Sequence, residues 1–145
     1  MADAGPFIAA SKLGTMSVAR LRLVAVLTGG ALGALARAVT AEALPTRPGD
    51  WPWATFSVNL VGALLLAWLT TRLTEMVPPA RYVRFLFGTG FCGALTTFST
   101  FQVETLRLAK AGHAGVAMTY AATSLAVGMI AAILATVVAR RRRYG

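Results

Sequence analysis

An all-α membrane protein with four transmembrane helices, the third broken near its middle, is the architecture this sequence predicts. Three observations carry that prediction. The first is composition: of 145 residues, 57% are hydrophobic and only 13% are charged, more apolar than an ordinary soluble domain of this length. The second is patterning. Four apolar stretches follow one another, each approaching the roughly 20 residues that a bilayer span requires, with short polar, proline-rich or basic segments between them. The third is a polar cluster inside the third stretch, Phe91 to Glu104, where three threonines, a serine, a glutamine and a glutamate follow Gly90 and Gly93. Polar or irregular backbone at bilayer depth is tolerated only where it is buried in protein or lines a watery cavity. The helix is therefore expected to break near Gly93–Thr97 and to present carbonyls and hydroxyls to an ion.

The length predicts one domain. Residues 1–20 are expected to be a poorly ordered N-terminal extension, 21–139 the four-helix transmembrane domain and 140–145 a basic C-terminal tail. Met16 is an alternative start, and no basic segment precedes the N-terminal stretch as a cleaved signal peptide would require. So small a membrane protein is expected to build its pore or site at a subunit interface. The formal net charge of +9 suggests nucleic acid, but the basic residues lie in loops and tails between apolar spans, which suits anionic headgroups and orientation signals instead. The single cysteine, Cys92, is inside an apolar stretch and has no partner in the chain for a disulfide.

The first span is read from Leu21 to Ala43. Its Gly29 and Gly33 make a G-x-x-x-G, which lets another helix approach closely. Arg37 lies late in the span, placed to snorkel to the interface, to cap a helix end or to mark a pore mouth. Pro45 to Pro52 form a turn-rich loop, and Trp51 and Trp53 follow at the level of an aromatic belt. The second span runs from Trp53 to Leu69. Asn59 is its odd residue, either hydrogen-bonding glue between helices or a donor to a permeating anion.

A polar, basic loop from Thr70 to Arg84 contains Pro78 and Pro79, and the third span follows from about Tyr82 to Leu108. Phe98 and Phe101 share one helical face. Such a pair usually packs, yet ring edges carry partial positive charge and could meet a small desolvated anion. Thr97 and Thr100 repeat the spacing beside them, and Glu104 falls a turn further on, facing water or accepting bonds from neighbouring helix ends. His113 lies in the short connection from Leu106 to Ala114 and reads as solvated surface. The fourth span, Gly115 to Val138, places Tyr120 and Ser124 on one face, as a polar track or as ordinary hydroxyl-to-carbonyl bonding. An even number of spans puts both termini on one side. That side carries ten basic residues (Lys12, Arg20, Arg22, Arg72, Arg81, Arg84 and Arg140 to Arg143) against Arg37, Arg47, Arg107 and Lys110 on the other, so the termini are expected in the cytoplasm for at least one orientation.

These motifs resemble those of the CrcB/Fluc fluoride channels over about Leu23 to Val138. The resemblance is carried by Gly29-Gly30-Ala31-Leu32-Gly33-Ala34 with Arg37, by Val58-Asn59-Leu60-Val61-Gly62, and above all by Gly90 to Phe101 with Glu104 after it. It implies a fluoride-selective channel that lowers cytoplasmic fluoride by passive export. It also implies an antiparallel, dual-topology dimer in the cell membrane with two pores along the subunit interfaces. A central structural sodium ion would be held by the backbone carbonyls of Gly93 and Thr96. The fluoride pathway would be lined by Asn59, Phe98, Phe101, Thr97, Thr100, Tyr120 and Ser124, with Arg37 and Glu104 as charges near the pore ends. Two departures stand out. Gly128 occupies the place where the family often carries another hydroxyl, and the ten-to-four basic bias exceeds what dual insertion favours. A homodimer is the default expectation, and a heterodimer with a homologous chain the alternative.

The runner-up function is a small proton-coupled multidrug transporter. It would want a carboxylate in mid-membrane, whereas Glu42 and Glu104 both lie near the ends of their spans. No enzyme is expected, because one loop histidine and no mid-membrane acid pair offer no general base. The chain carries no glycine-lysine phosphate loop, so nucleotide-driven pumping is not supported.

Overall fold

A computed structural model describes the backbone over residues 5–73 and 80–141, with side chains from 18 to 73 and from 82 to 141. Helix α1 spans Gly5–Ala43 and so begins within the stretch expected to be an extension. Helix α2 spans Trp53–Leu73. The third traversing element is composite. A short α3, Ala80–Val83, passes into a π-helical stretch, Arg84–Cys92, and then into α4, Gly93–Leu95. Thr96 and Thr97 are extended, and α5, Phe98–Lys110, resumes beyond them. Helix α6 spans Ala114–Arg141. Every described element is helical. The expected Pro78–Pro79 turn and the tail from Arg142 onward lie outside the described residues.

Among the described residues three helices are long and apolar enough to cross a membrane: Val18–Ala43 within α1, all of α2, and all of α6. The 21 residues of α2 rise about 31 Å, close to the roughly 30 Å of a hydrocarbon core. The 13 residues of α5 rise only about 20 Å, so this element crosses the membrane only together with the segments before it.

Lipid is as apolar as leucine, so helices in a membrane associate through close packing and polar contacts rather than through apolar burial. The G-x-x-x-G of α1 does this within the subunit. A side chain at Gly29 would run into the Leu86 carbonyl, and one at Gly33 into the Phe91 carbonyl. Gly90 reciprocates: a Cβ there would lie 2.7 Å from the Val26 carbonyl oxygen and 3.0 Å from the Gly30 nitrogen. These contacts are backbone against backbone, so α1 and the π-helical stretch dock at the closest distance two helices can reach. At the other end of the same contact, Arg22 lies over the Phe85 ring, 5.3 Å from its centroid.

Helix α6 packs mainly on α2 and α5. It presents Ala117, Ala131, Ala135 and Ala139 as its buried small residues, while Met118, Leu125, Met129, Ile133 and Leu134 point outward, as lipid-facing residues do. The one sizeable aromatic cluster closes the end of the bundle. Tyr120 is 0% exposed, and its ring meets Trp51 at 5.4 Å and Phe101 at 5.2 Å between centroids.

His113 is at the surface, as expected. It also lies against Gly49, where a side chain would reach within 2.8 Å of its Nε2. Gly49 has a positive φ of 87°, which a residue with a side chain adopts at a cost. The loop before α2 is thus seated on the turn before α6.

Candidate functional site

Several threonine hydroxyls in this bundle bond back to their own helix. Thr40 donates to Ala36, Thr71 to Ala67, Thr105 to Phe101 and Thr136 to Ala132, each at 2.8 Å. That is how a hydroxyl is satisfied in lipid without a partner elsewhere. The Thr97 and Thr100 hydroxyls, at and just past the interruption of the third element, bond to each other instead, and the site is built around them.

Thr97 lies at the interruption, with φ −146° and ψ 118°. Its backbone is held by α2. The Asn59 Nδ2 donates to the Thr97 carbonyl at 3.0 Å, and the Thr97 N–H donates to Asn59 Oδ1 at 2.8 Å. The carboxamide therefore replaces the bond that the Thr97 N–H would make in a continuous helix, and adds a donor to the carbonyl of this N-cap residue. The Thr97 hydroxyl caps α5, accepting from the Thr100 N–H at 3.2 Å and donating to the Thr100 hydroxyl at 2.9 Å. Threonine at an N-cap satisfies one of a helix's orphan donors. Thr96 closes the preceding turn, donating to the Cys92 carbonyl through its N–H at 3.1 Å and its hydroxyl at 2.9 Å. Its methyl fills the space left at Gly62, where a side chain would collide with it.

Two charged residues flank this region. Arg37, half-buried, donates from Nε to the Ala94 carbonyl at 3.1 Å. Glu104 accepts from the Thr55 hydroxyl at 2.8 Å on one oxygen and from the Tyr120 hydroxyl at 3.0 Å on the other. A cavity of about 150 Å³ connects them, lined among others by Arg37, Thr55, Thr97, Thr100 and Glu104. On the far side of Glu104 a wider cavity of about 290 Å³ opens between the Arg47 and Arg107 side chains. A third space, about 320 Å³, lies between α2 and the interruption, against Asn59, Gly62, Thr96, Thr97 and Phe98. The Asn59 amide uses one of its two hydrogens on Thr97, which leaves the second for a partner in that space.

The structure thus brings Asn59, Thr97, Thr100, Arg37, Glu104 and Tyr120 into one connected region. Phe98 and Phe101 stack with centroids 5.9 Å apart at 27°. They differ in environment, because Phe98 is 67% exposed on the subunit surface whereas Phe101 packs on Tyr120. Gly93 faces outward with open space where a side chain would be. Ser124 sits a turn beyond Tyr120 with its Oγ buried and without a partner, and the Tyr120 hydroxyl turns to Glu104. Thr55 was missed by sequence reasoning, although a signal was present: Thr55, Asn59 and Gly62 fall on one face of α2 at i, i+4 and i+7. The π-helical stretch left no comparable signal.

Three apolar helices, with a composite third element interrupted by two extended threonines and polar groups turned onto that interruption, define a multi-pass membrane protein. The family model described as CrcB-like protein, Camphor Resistance (CrcB), matches residues 24–136, and the chain belongs to that family. It is similar to the fluoride-specific ion channel FluC 1 of Mycolicibacterium paratuberculosis, 54% identical over 121 residues that cover 83% of this chain and 92% of that protein. The FluC 1 channel of Mycobacterium bovis is 55% identical over 122 residues, with the same coverage. Fluoride-specific ion channel FluC 3 of Streptomyces avermitilis is 44% identical over 118 residues, 81% of this chain and 58% of that protein.

Proposed function

We propose that this protein is a fluoride-selective ion channel that lowers cytoplasmic fluoride by passive export across the plasma membrane. The observation that carries the reading is the interrupted third element with the polar groups turned onto it, in a chain 54% identical over 121 residues to a protein named as a fluoride-specific channel. Fluoride is small and strongly hydrated, so a selective path must exchange its water for close donors. The free Asn59 amide hydrogen, the Thr100 and Ser124 hydroxyls and the ring edges of Phe98 and Phe101 are the donors of that path, and Thr97 and Tyr120, whose hydroxyls donate to Thr100 and Glu104, line it. Arg37 and Glu104 act at its ends.

The working unit is an antiparallel dimer, with the pores along the subunit interface. Exposure of Phe98 and Gly93 on the subunit surface supports this, because pore and ion site would then be completed by the second subunit. A structural sodium ion at the centre would be held by the Gly93 and Thr96 carbonyls. Their fit to such an ion rests on two features. An interrupted helix frees its last carbonyls, and the missing side chain at Gly93 leaves open space beside one of them. The bound ion would supply positive charge and cross-link the two subunits.

The test is ion efflux from liposomes holding the purified protein alone and loaded with fluoride or chloride. Rapid fluoride release without chloride release is the expected result and would establish one chain as sufficient. Silent liposomes that become active on co-reconstitution with a homologous chain would replace the homodimer by a heterodimer. Silence in both would overturn the function.

Replacing Phe98 by Ile is expected to reduce fluoride flux by at least about tenfold while the melting temperature stays unchanged, because an exposed ring contributes its edge rather than its packing. The same change at Phe101 is expected to lower both, since its ring also supports Tyr120. Unchanged flux in both variants, measured by the same efflux assay, would remove the rings from the path.

A further inference from the structure

We infer that Arg37 is a positioning residue of the interrupted helix, acting through its Nε–H on the Ala94 carbonyl rather than through its charge, and that it thereby selects which carbonyls remain for the central cation. The inference rests on the sodium site proposed above.

In a continuous helix the N–H groups of Thr97, Phe98, Ser99 and Thr100 would bond the carbonyls of Gly93, Ala94, Leu95 and Thr96. Here the Thr97 N–H goes to Asn59 and the Thr100 N–H to the Thr97 hydroxyl, and α4 ends at Leu95, so the carbonyls at its end are left without helical partners. Arg37 takes one of them, Ala94, at 3.1 Å across 57 residues of sequence. Gly93 and Thr96, on either side of it in the chain, are left without a side-chain donor among the described residues. An unclaimed Ala94 carbonyl would turn toward whatever cation or water was near and loosen the cage.

The charge of Arg37 does not explain its position. A guanidinium beside carbonyls that are to hold a cation repels that cation. What matters is which atom donates. Nε is the fourth side-chain atom along from Cα, and the amide nitrogen of a glutamine occupies the same place without the charge. A methionine puts a methyl group there. A lysine puts a methylene there and carries its ammonium one atom further on. Charge and donor position can therefore be separated at one site.

The experiment is thermal unfolding of the purified full-length protein in detergent, with sodium chloride exchanged stepwise for N-methylglucamine chloride, on the native protein and on Arg37→Gln, Arg37→Lys and Arg37→Met. The native protein is expected to melt higher as sodium rises. Arg37→Gln should keep the native half-protecting sodium concentration or lower it. Arg37→Met and Arg37→Lys should each raise it by about tenfold, the size of one well-placed hydrogen bond. Loss of sodium protection in Arg37→Gln with retention in Arg37→Lys would overturn the inference and make Arg37 a charge. Equal midpoints in all four proteins would overturn it as well. A native protein indifferent to sodium would overturn the cation site itself, and this inference with it. Should Arg37→Met fail to fold, the contrast between glutamine and lysine decides alone.

Discussion

Asn59→Asp is expected to reduce fluoride flux by at least about 100-fold. The change keeps the shape of the side chain and alters one group. Asn59 Nδ2 donates to the Thr97 carbonyl at 3.0 Å, and Oδ1 accepts from the Thr97 N–H at 2.8 Å. A carboxylate keeps the second bond and turns the first into an oxygen facing an oxygen. It also removes the amide hydrogen left for the anion and puts a negative charge beside the path. Losing a buried donor costs about 1–3 kcal/mol, and more where charge is involved, and about 3 kcal/mol corresponds to a little over 100-fold. Liposome efflux reads the flux, and thermal unfolding of the same preparation reads the fold. Native flux together with a native melting temperature in this variant would remove Asn59 from both the pathway and the interruption. A lower melting temperature with intact residual flux would leave Asn59 as a purely structural clamp.

Gly33→Val should prevent the subunit from folding in a monodisperse form. A Cβ at Gly33 would run into the Phe91 carbonyl and lie 3.1 Å from the Leu95 nitrogen. Neither neighbour is a side chain that can swing aside, so α1 would have to move off the third element. Overpacking costs typically about 1–3 kcal/mol where side chains can adjust, and more is expected where only backbone is available. Gly30 is the control. It is half-exposed with nothing near its missing side chain, so Gly30→Ala should leave the melting temperature within about 2 °C, as surface substitutions do. Size-exclusion chromatography of the two purified variants compares them directly. A well-behaved Gly33→Val protein would contradict the close α1 contact.

Much of the site was legible before any coordinates. The polar run Thr96 to Glu104 inside an apolar stretch pointed to an interrupted helix, because hydroxyls in lipid need a reason. Asn59 stood out on the same ground. The reading of Asn59 stayed open between glue and donor, and the structure puts its oxygen and one of its hydrogens on Thr97. Arg37 had three possible places, and its bond to the Ala94 carbonyl at the end of α4 is the helix-capping one, although the sequence could not say which helix end it would meet. Glu104 was allowed either water or neighbouring groups, and it meets the hydroxyls of Thr55 and Tyr120. The G-x-x-x-G was legible as a close-packing surface, but not its partner, a π-helical stretch whose geometry no residue pattern announces.

By itself the sequence determined the class: an apolar helical membrane chain with a polar interruption in its third span. Hydropathy and helix breaking depend on residues within a turn or two of one another, so they can be read along the chain. Only the tertiary structure decided which polar groups meet. Asn59 and Thr97 are separated by 38 residues, Thr55 and Glu104 by 49, and Arg37 and Ala94 by 57. Those meetings depend on the depth and rotation of each helix, which are set by glycine contacts such as Gly29 against Leu86 and Gly33 against Phe91. In lipid the apolar faces do not choose between rotations, so close backbone packing and the matching of polar partners do.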